Sequence, residues 1–145
     1  MNEIDLFGEY VRRRLEGWGR EFALHRDCEY LGHQSKNMLQ VLIDHRGEMP
    51  SRPTGFKPLE VNADAHEIEL IVSVMAKHDR ARACCLRAFY CGTGRRGVER
   101  LETAQALVTA ATGRLIPIRR GAYYAAVDLG TSEVRGALIG KSLAA

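Results

Sequence analysis

Nothing in the 145 residues approaches the length of a transmembrane helix, so no membrane-spanning segment and no membrane partner is expected. The opening stretch, MNEIDLFGEYVRRRLEGWGREF, is acidic at its start and charged throughout. It lacks the basic-then-apolar order of a secretory leader, which makes the cytosol the expected compartment and reduced thiols the expected state of its cysteines. Four cysteines, Cys28, Cys84, Cys85 and Cys91, occur without a CxxC pair, and no HxxxH accompanies them. Adjacent Cys84 and Cys85 would diverge by about 100° on a helix. A structural zinc is therefore poorly supported, and small buried thiols are the better account. No nucleophile–base pair stands out and no segment alternates convincingly like a strand. The expectation is a protein without metal or cofactor that is not an enzyme.

What is present is an ordinary globular composition, 46% hydrophobic and 27% charged, in a length that suits one domain with a real core. The charge is divided. Residues 1–76 carry 9 basic and 13 acidic residues, a net of −4; residues 77–145 carry 12 basic and 5 acidic, a net of +7. Ten of those twelve bases are arginine, the side chain suited to bidentate phosphate and guanine contacts. A solvated basic face is the common explanation of such a run. An acidic half joined to a basic half favours a nucleic-acid surface beside a protein-binding one.

The stretch CGTGRRG, Cys91 to Gly97, matches the dinucleotide fingerprint in form. That fingerprint needs a strand before it and a helix after it within a βαβ unit. Here an alanine- and arginine-containing helical segment precedes it, so the dinucleotide reading fails on context. A glycine-rich connection between helices remains, with Gly92 suited to a helix C-terminus and Arg95 and Arg96 able to reach phosphate.

Apolar residues at steps of three and four mark the helices. Ile4, Phe7, Val11, Leu15, Trp18 and Phe22 form one stripe, with Arg12, Arg13 and Arg14 beside it as solvating charges. From Asp44 to Asn62, Pro50, Pro53 and Pro58 with Gly47 and Gly55 interrupt helix and predict a long loop. Asn62 or Asp64 then caps a helix with Ile68, Val72 and Met75 on its buried side. His66, Glu67 and Glu69 near its start read as helix-start acids rather than a cluster. Ala81, Cys85, Leu86 and Phe89 share an apolar face. Val98, Leu101, Leu107 and Val108 give the next helix its apolar positions, and Gly113 ends it. With Pro117 in its first turn, a last helix is expected from about Ile118, with Arg119, Arg120, Tyr123 and Tyr124 near its start. Gly130 is expected to bend or end it before Val134 and Leu138. Of the two tyrosines, one faces the core and one a partner.

The order of these elements resembles the Q family of lambdoid-phage transcription antiterminators. The likeness runs from about Trp18 onward. It is carried by EGWGREF, by ADAHEIELIVSVMAKHDRARACCLRAFYCGTG, by ETAQALV and by the closing RRGAYYAAVDLGTSEVRGALI. The stretch TGRLIP is longer than a compact helix-turn-helix break. The resemblance implies an antiterminator that binds a late-promoter DNA element and loads onto sigma-containing bacterial RNA polymerase. The polymerase then reads through pauses and terminators. It implies double-stranded DNA, RNA polymerase and sigma factor as partners, with nascent RNA at the exit channel a further one. More than one copy on the DNA is compatible with it, and the place of action is the bacterial host cytoplasm.

The expected fold is all-α. It comprises an N-terminal helical element (1–43), a Pro/Gly-rich loop (44–63) and a helical DNA-binding domain (64–145) with a helix-turn-helix-like C-terminal unit. Arg119, Arg120 and Tyr123 are expected at the groove, a recognition helix meeting bases with its N-terminal side chains. Arg95, Arg96, Arg100 and Arg114 are expected on flanking phosphates. The acidic half and the loop are left for polymerase. Three other readings compete: a simple helix-turn-helix regulator of initiation, a small nuclease using Asp64, Glu67 and Glu69 with a divalent metal, and an adaptor that binds no DNA.

Overall fold

The computed structural model describes residues 5–24, 27–30, 33–37, 43, 56–58, 62–92 and 97–144; for the strands, 97–98 and 142–144 it describes the backbone alone. Helix α1 (Leu6–Glu21) starts at Asp5, whose carboxylate accepts the Gly8 amide at 2.9 Å. Helix α2 (Ala63–His78) starts at Asn62, whose side chain accepts from the Ala65 amide at 2.7 Å. Asp79 separates α2 from α3 (Arg80–Cys91) and serves both. Its amide closes α2 on Met75 O at 2.8 Å, and its carboxylate caps α3 by accepting the Arg82 amide at 3.0 Å. Gly92 ends α3, its amide donating to Ala88 O at 3.1 Å. Helices α4 (Gly97–Thr112) and α5 (Arg120–Ala144) complete the set. Gly113, at φ 71°, turns the chain out of α4 in a backbone region that favours glycine.

Between α1 and α2 lie three short strands, β1 (Asp27–Tyr30), β2 (His33–Asn37) and β3 (Phe56–Pro58). They form one antiparallel sheet in the order β2-β1-β3, with Cys28 opposite both Lys36 and Pro58. The helical expectation holds for the five helices; the strands were not expected. Each is too brief for alternation to show, and β3 pairs with β1 from well along the sequence. Pro58 closes β3 at the edge of this sheet, a position where proline is tolerated. The loop expected over 44–63 lies mostly outside the described residues.

Helix α3 is the hub, packing against each of the other four. Its small residues Ala83, Cys84, Cys85, Ala88 and Cys91 are buried almost all round, together with Leu86. Around it, Val11, Leu15, Trp18 and Phe22 of the α1 side join Ile68, Val72 and Met75 of α2, Leu107 and Val108 of α4, and Val127, Val134 and Leu138 of α5 in one core. The N-terminal helix thus shares the core of the C-terminal helices. Gly19 lets α1 approach α3: a Cβ there would collide with the Tyr90 carbonyl. Ala81, expected on the apolar face of α3, is exposed. Gly130 does not end α5, which runs on through it. Its bare Cα lets α5 lie on Leu86, whose Cδ2 would be 3.3 Å from an added Cβ.

Among the described residues, the core encloses one ion pair. Arg87 Nη1 and Nη2 donate to Glu69 Oε1 and Oε2 at 2.7 and 2.8 Å, with the two side chains 6% and 7% exposed. Trp18 Nε1 donates to Oε1 at 3.1 Å and Ser73 Oγ to Oε2 at 3.2 Å. The Arg87 guanidinium also lies over the Trp18 ring at 5.4 Å. Glu69 is therefore a saturated core carboxylate joining α1, α2 and α3, not a helix-start acid. Arg14 is likewise not a solvating charge. Only 12% exposed, it bridges α1 to α2 by donating to Asp64 O at 3.1 Å and to Glu67 Oε1 at 3.0 Å. The thiols of Cys84, Cys85 and Cys91 are buried, as expected of small core residues. Burial pushes Cys84 up to about 11 and Cys85 to about 12, and raises Cys91 further.

Candidate nucleic-acid interface

Residues 113–119 form the turn between α4 and α5, and Gln105 shapes it. Its Nε2 donates to Ile116 O at 2.6 Å and its Oε1 accepts from the Ile118 amide at 2.8 Å. Because Gln105 lies well inside α4, the turn doubles back along that helix. Thr112 Oγ1 adds contacts to Arg114 O at 3.2 Å and from the Arg114 amide at 3.3 Å. Ile118 packs partly against the core. The last helix starts two residues later than expected, at Arg120, with Pro117 in the turn and the Arg119 carbonyl accepting the Tyr123 amide at 2.9 Å.

This turn brings together three of the expected arginines. Arg114, Arg119 and Arg120 are all exposed, and no carboxylate pairs with any of them among the described residues. No Asp or Glu occurs between Glu102 and Asp128, so nothing acidic within the segment offsets them. The first turn of α5 carries no acidic residue either. The positive end of its helix dipole and its unsatisfied amides therefore add to the arginine field.

Tyr123 is not at this surface. It is 1% exposed, and its ring fills the core beside Cys85. Burial pushes its phenol up to about 12, and its hydroxyl has no hydrogen-bond partner. The physical reason is spacing: Tyr123, Val127, Val134 and Leu138 share the inward face of α5. That signal was readable in the sequence. The outward tyrosine is Tyr124, 36% exposed, stacked edge-on against Tyr123 at 5.0 Å and lying under the Arg120 guanidinium at 5.8 Å. Gln105 carried no comparable signal, because its partners are backbone groups of the turn.

Arg100 stands apart from the exposed three. It is half-buried over the Phe89 ring at 5.6 Å, and its Nε has no partner. It lines an open cleft of about 540 Å³ with Glu16, Arg20, Tyr90 and Gly92. Arg95 and Arg96 lie outside the described residues.

Much of the remaining charge is used internally. Asp5 accepts from Arg135 at 2.6 Å, Glu67 pairs with Lys141 at 3.3 Å, and Glu69 takes Arg87, so acids of the first half hold bases of the second. Arg82 is held by Glu133 at 2.8 Å. The +7 of the C-terminal half is thus not all surface, nor is the −4 of the N-terminal half. The carboxylates of the nuclease reading do not converge. Glu69 is saturated in the core, Glu67 is held by Arg14 and Lys141 below the usual carboxylate range, and the Asp64 side chain is 83% exposed. No group of three or more His, Cys, Asp or Glu suited to a metal occurs among the described residues. No helix among them is long and apolar enough to cross a membrane.

No protein-family model matches the chain, and no curated protein or solved structure is significantly similar to it.

Proposed function

We propose that the protein binds double-stranded DNA through the α4–α5 turn and the start of α5, and acts there as a transcription antiterminator of the Q type. One observation carries the DNA reading: Arg114, Arg119 and Arg120 stand exposed and unpaired on a turn braced by Gln105, with no acid between Glu102 and Asp128. Bases left unpaired while four other C-terminal cations are spent on internal ion pairs fit a polyanionic partner. In this reading α4, the turn and α5 act as a helix-turn-helix-like unit, and α5 presents Arg119, Arg120 and Tyr124 to the groove. Both helices pack mainly on α3, so the unit is braced by the whole bundle.

The antitermination step rests on the resemblance in residue order to Q proteins. It assigns RNA polymerase and sigma factor to surfaces away from the turn. A simple regulator of initiation would carry the same basic turn, and the two separate in one assay. Single-round transcription through a terminator on a phage late-promoter template should give read-through only when the protein is present. Unchanged termination alongside altered initiation would favour the simple regulator. Binding itself should weaken with salt. Three neutralised phosphates give a log–log slope of about −3 per copy, and a flat salt response would remove the DNA reading.

A further inference from the structure

Leu115, at 76% exposure, is the most exposed large apolar side chain among the described residues, and its neighbour Ile116 is 49% exposed. They are not on a slack segment. Gln105 holds the backbone at Ile116 and Ile118, Thr112 holds Arg114, and Pro117 limits the chain between them. A braced turn therefore pushes two aliphatic side chains outward, with Arg114 before them and Arg119 and Arg120 after them. An apolar tip with cations on both sides and no acid within its own segment is complementary to a groove: phosphates line its two rims, and stacked base edges form its floor. Aliphatic side chains inserted from such a setting part a base step and kink the duplex.

We infer that Leu115 and Ile116 form a wedge that enters a groove of duplex DNA between phosphates held by Arg114, Arg119 and Arg120, opening a base step and bending the DNA. This rests on the duplex-DNA reading above and adds to it a deformation of the bound site. It also gives a use to the length of the turn: a shorter connection would leave no residues to project. The wedge acts on flexible pyrimidine–purine steps more readily than on stiff A-tracts, since the cost of opening differs with sequence.

The test is ligase-mediated circularisation of a duplex of about 120 base pairs, shorter than the persistence length of about 150. It is run with the full chain and with the double variant Leu115→Ser/Ile116→Ser. Filter binding on the same fragment is measured in parallel, with helical circular dichroism to confirm that the variant folds; both side chains are exposed, so the core is untouched. The wild type should accelerate circularisation about tenfold, the size of effect expected when a stiff fragment is pre-bent. At protein concentrations that filter binding shows to saturate the fragment, the variant should circularise it no faster than bare DNA. Acceleration by the double variant equal to wild type overturns the wedge. So does wild-type binding without acceleration, which would assign the apolar pair to a protein surface. If the wild type does not bind the duplex at all, the DNA reading fails and takes the wedge with it.

Discussion

Replacing Arg87 by methionine isolates the buried network on which three helices depend. The substitution keeps most of the side-chain volume and removes two of the four donors that reach the Glu69 carboxylate, those at 2.7 and 2.8 Å. Trp18 and Ser73 remain, and neither carries charge. A carboxylate with a side chain only 7% exposed is then left without a counter-charge. Breaking a buried pair in this way costs about 3–5 kcal/mol, against a total stability of about 5–15 kcal/mol for a domain. Arg87→Met should therefore lose about a fifth or more of the stability. Glu69→Leu should lose a similar amount, since it strands the guanidinium instead. The double variant Glu69→Leu/Arg87→Met should return to within about 1–2 kcal/mol of wild type, because desolvation of both charges is removed together. Urea denaturation followed by tryptophan emission reads this directly. Trp18 is the only tryptophan, is fully buried, and donates to Glu69 itself. Single variants that cost less than about 1 kcal/mol, or a double variant whose loss is the sum of the two, would show that the pair is solvated and would refute the account of the core.

Arg119→Ala and Arg120→Ala should each weaken duplex binding and reduce the magnitude of the salt slope by about 1, as the loss of a phosphate contact does, and Arg13→Ala should change it little. Equal affinities in a fluorescence-anisotropy titration would move the interface elsewhere. Tyr124→Ala should also weaken binding with the fold intact, whereas Tyr123→Ala should destabilise the core; thermal melts beside binding curves separate the two. Stability should fall from about pH 9 upward. The folded-state values of Cys84 and Cys85 are raised from 9.0 to about 11 and about 12, and Cys91 shifts the same way, so the unfolded chain releases these protons first. The loss should reach about 1 kcal/mol per thiol by about pH 10; a denaturation midpoint that is flat from pH 8 to 10.5 under reducing conditions would contradict thiol burial. Replacing residues 46–55 by a Gly/Ser linker spares the Phe56–Pro58 strand and should leave DNA binding near normal while abolishing terminator read-through. Full read-through by that variant would reduce the segment to a tether.

The helices were written into local sequence. Caps at Asn62 and Gly113 and the three-and-four spacing of Val11, Leu15, Trp18 and Phe22 act within a few residues, so one strand of text suffices to read them. The arginines at 114, 119 and 120 were visible as a basic run, and the break between Gly113 and Ile118 located the turn that carries them. The sequence did not reveal which charges are paired. Glu69 meets Arg87 18 residues away, and Arg135 meets Asp5 130 residues away. Such pairings follow from how helices pack around α3, and no local pattern encodes them. The same packing buried Tyr123 and left Tyr124 outside, as the helical spacing of Tyr123 with Val127, Val134 and Leu138 had marked. It also placed Gln105 under the turn, because a side chain that binds backbone groups leaves no mark in the residues it holds. The sequence by itself determined where the helices run and where positive charge accumulates. Tertiary structure decided which of that charge is paired within the fold and which stays unpaired at the surface, because burial and pairing are properties of residues brought together across the fold.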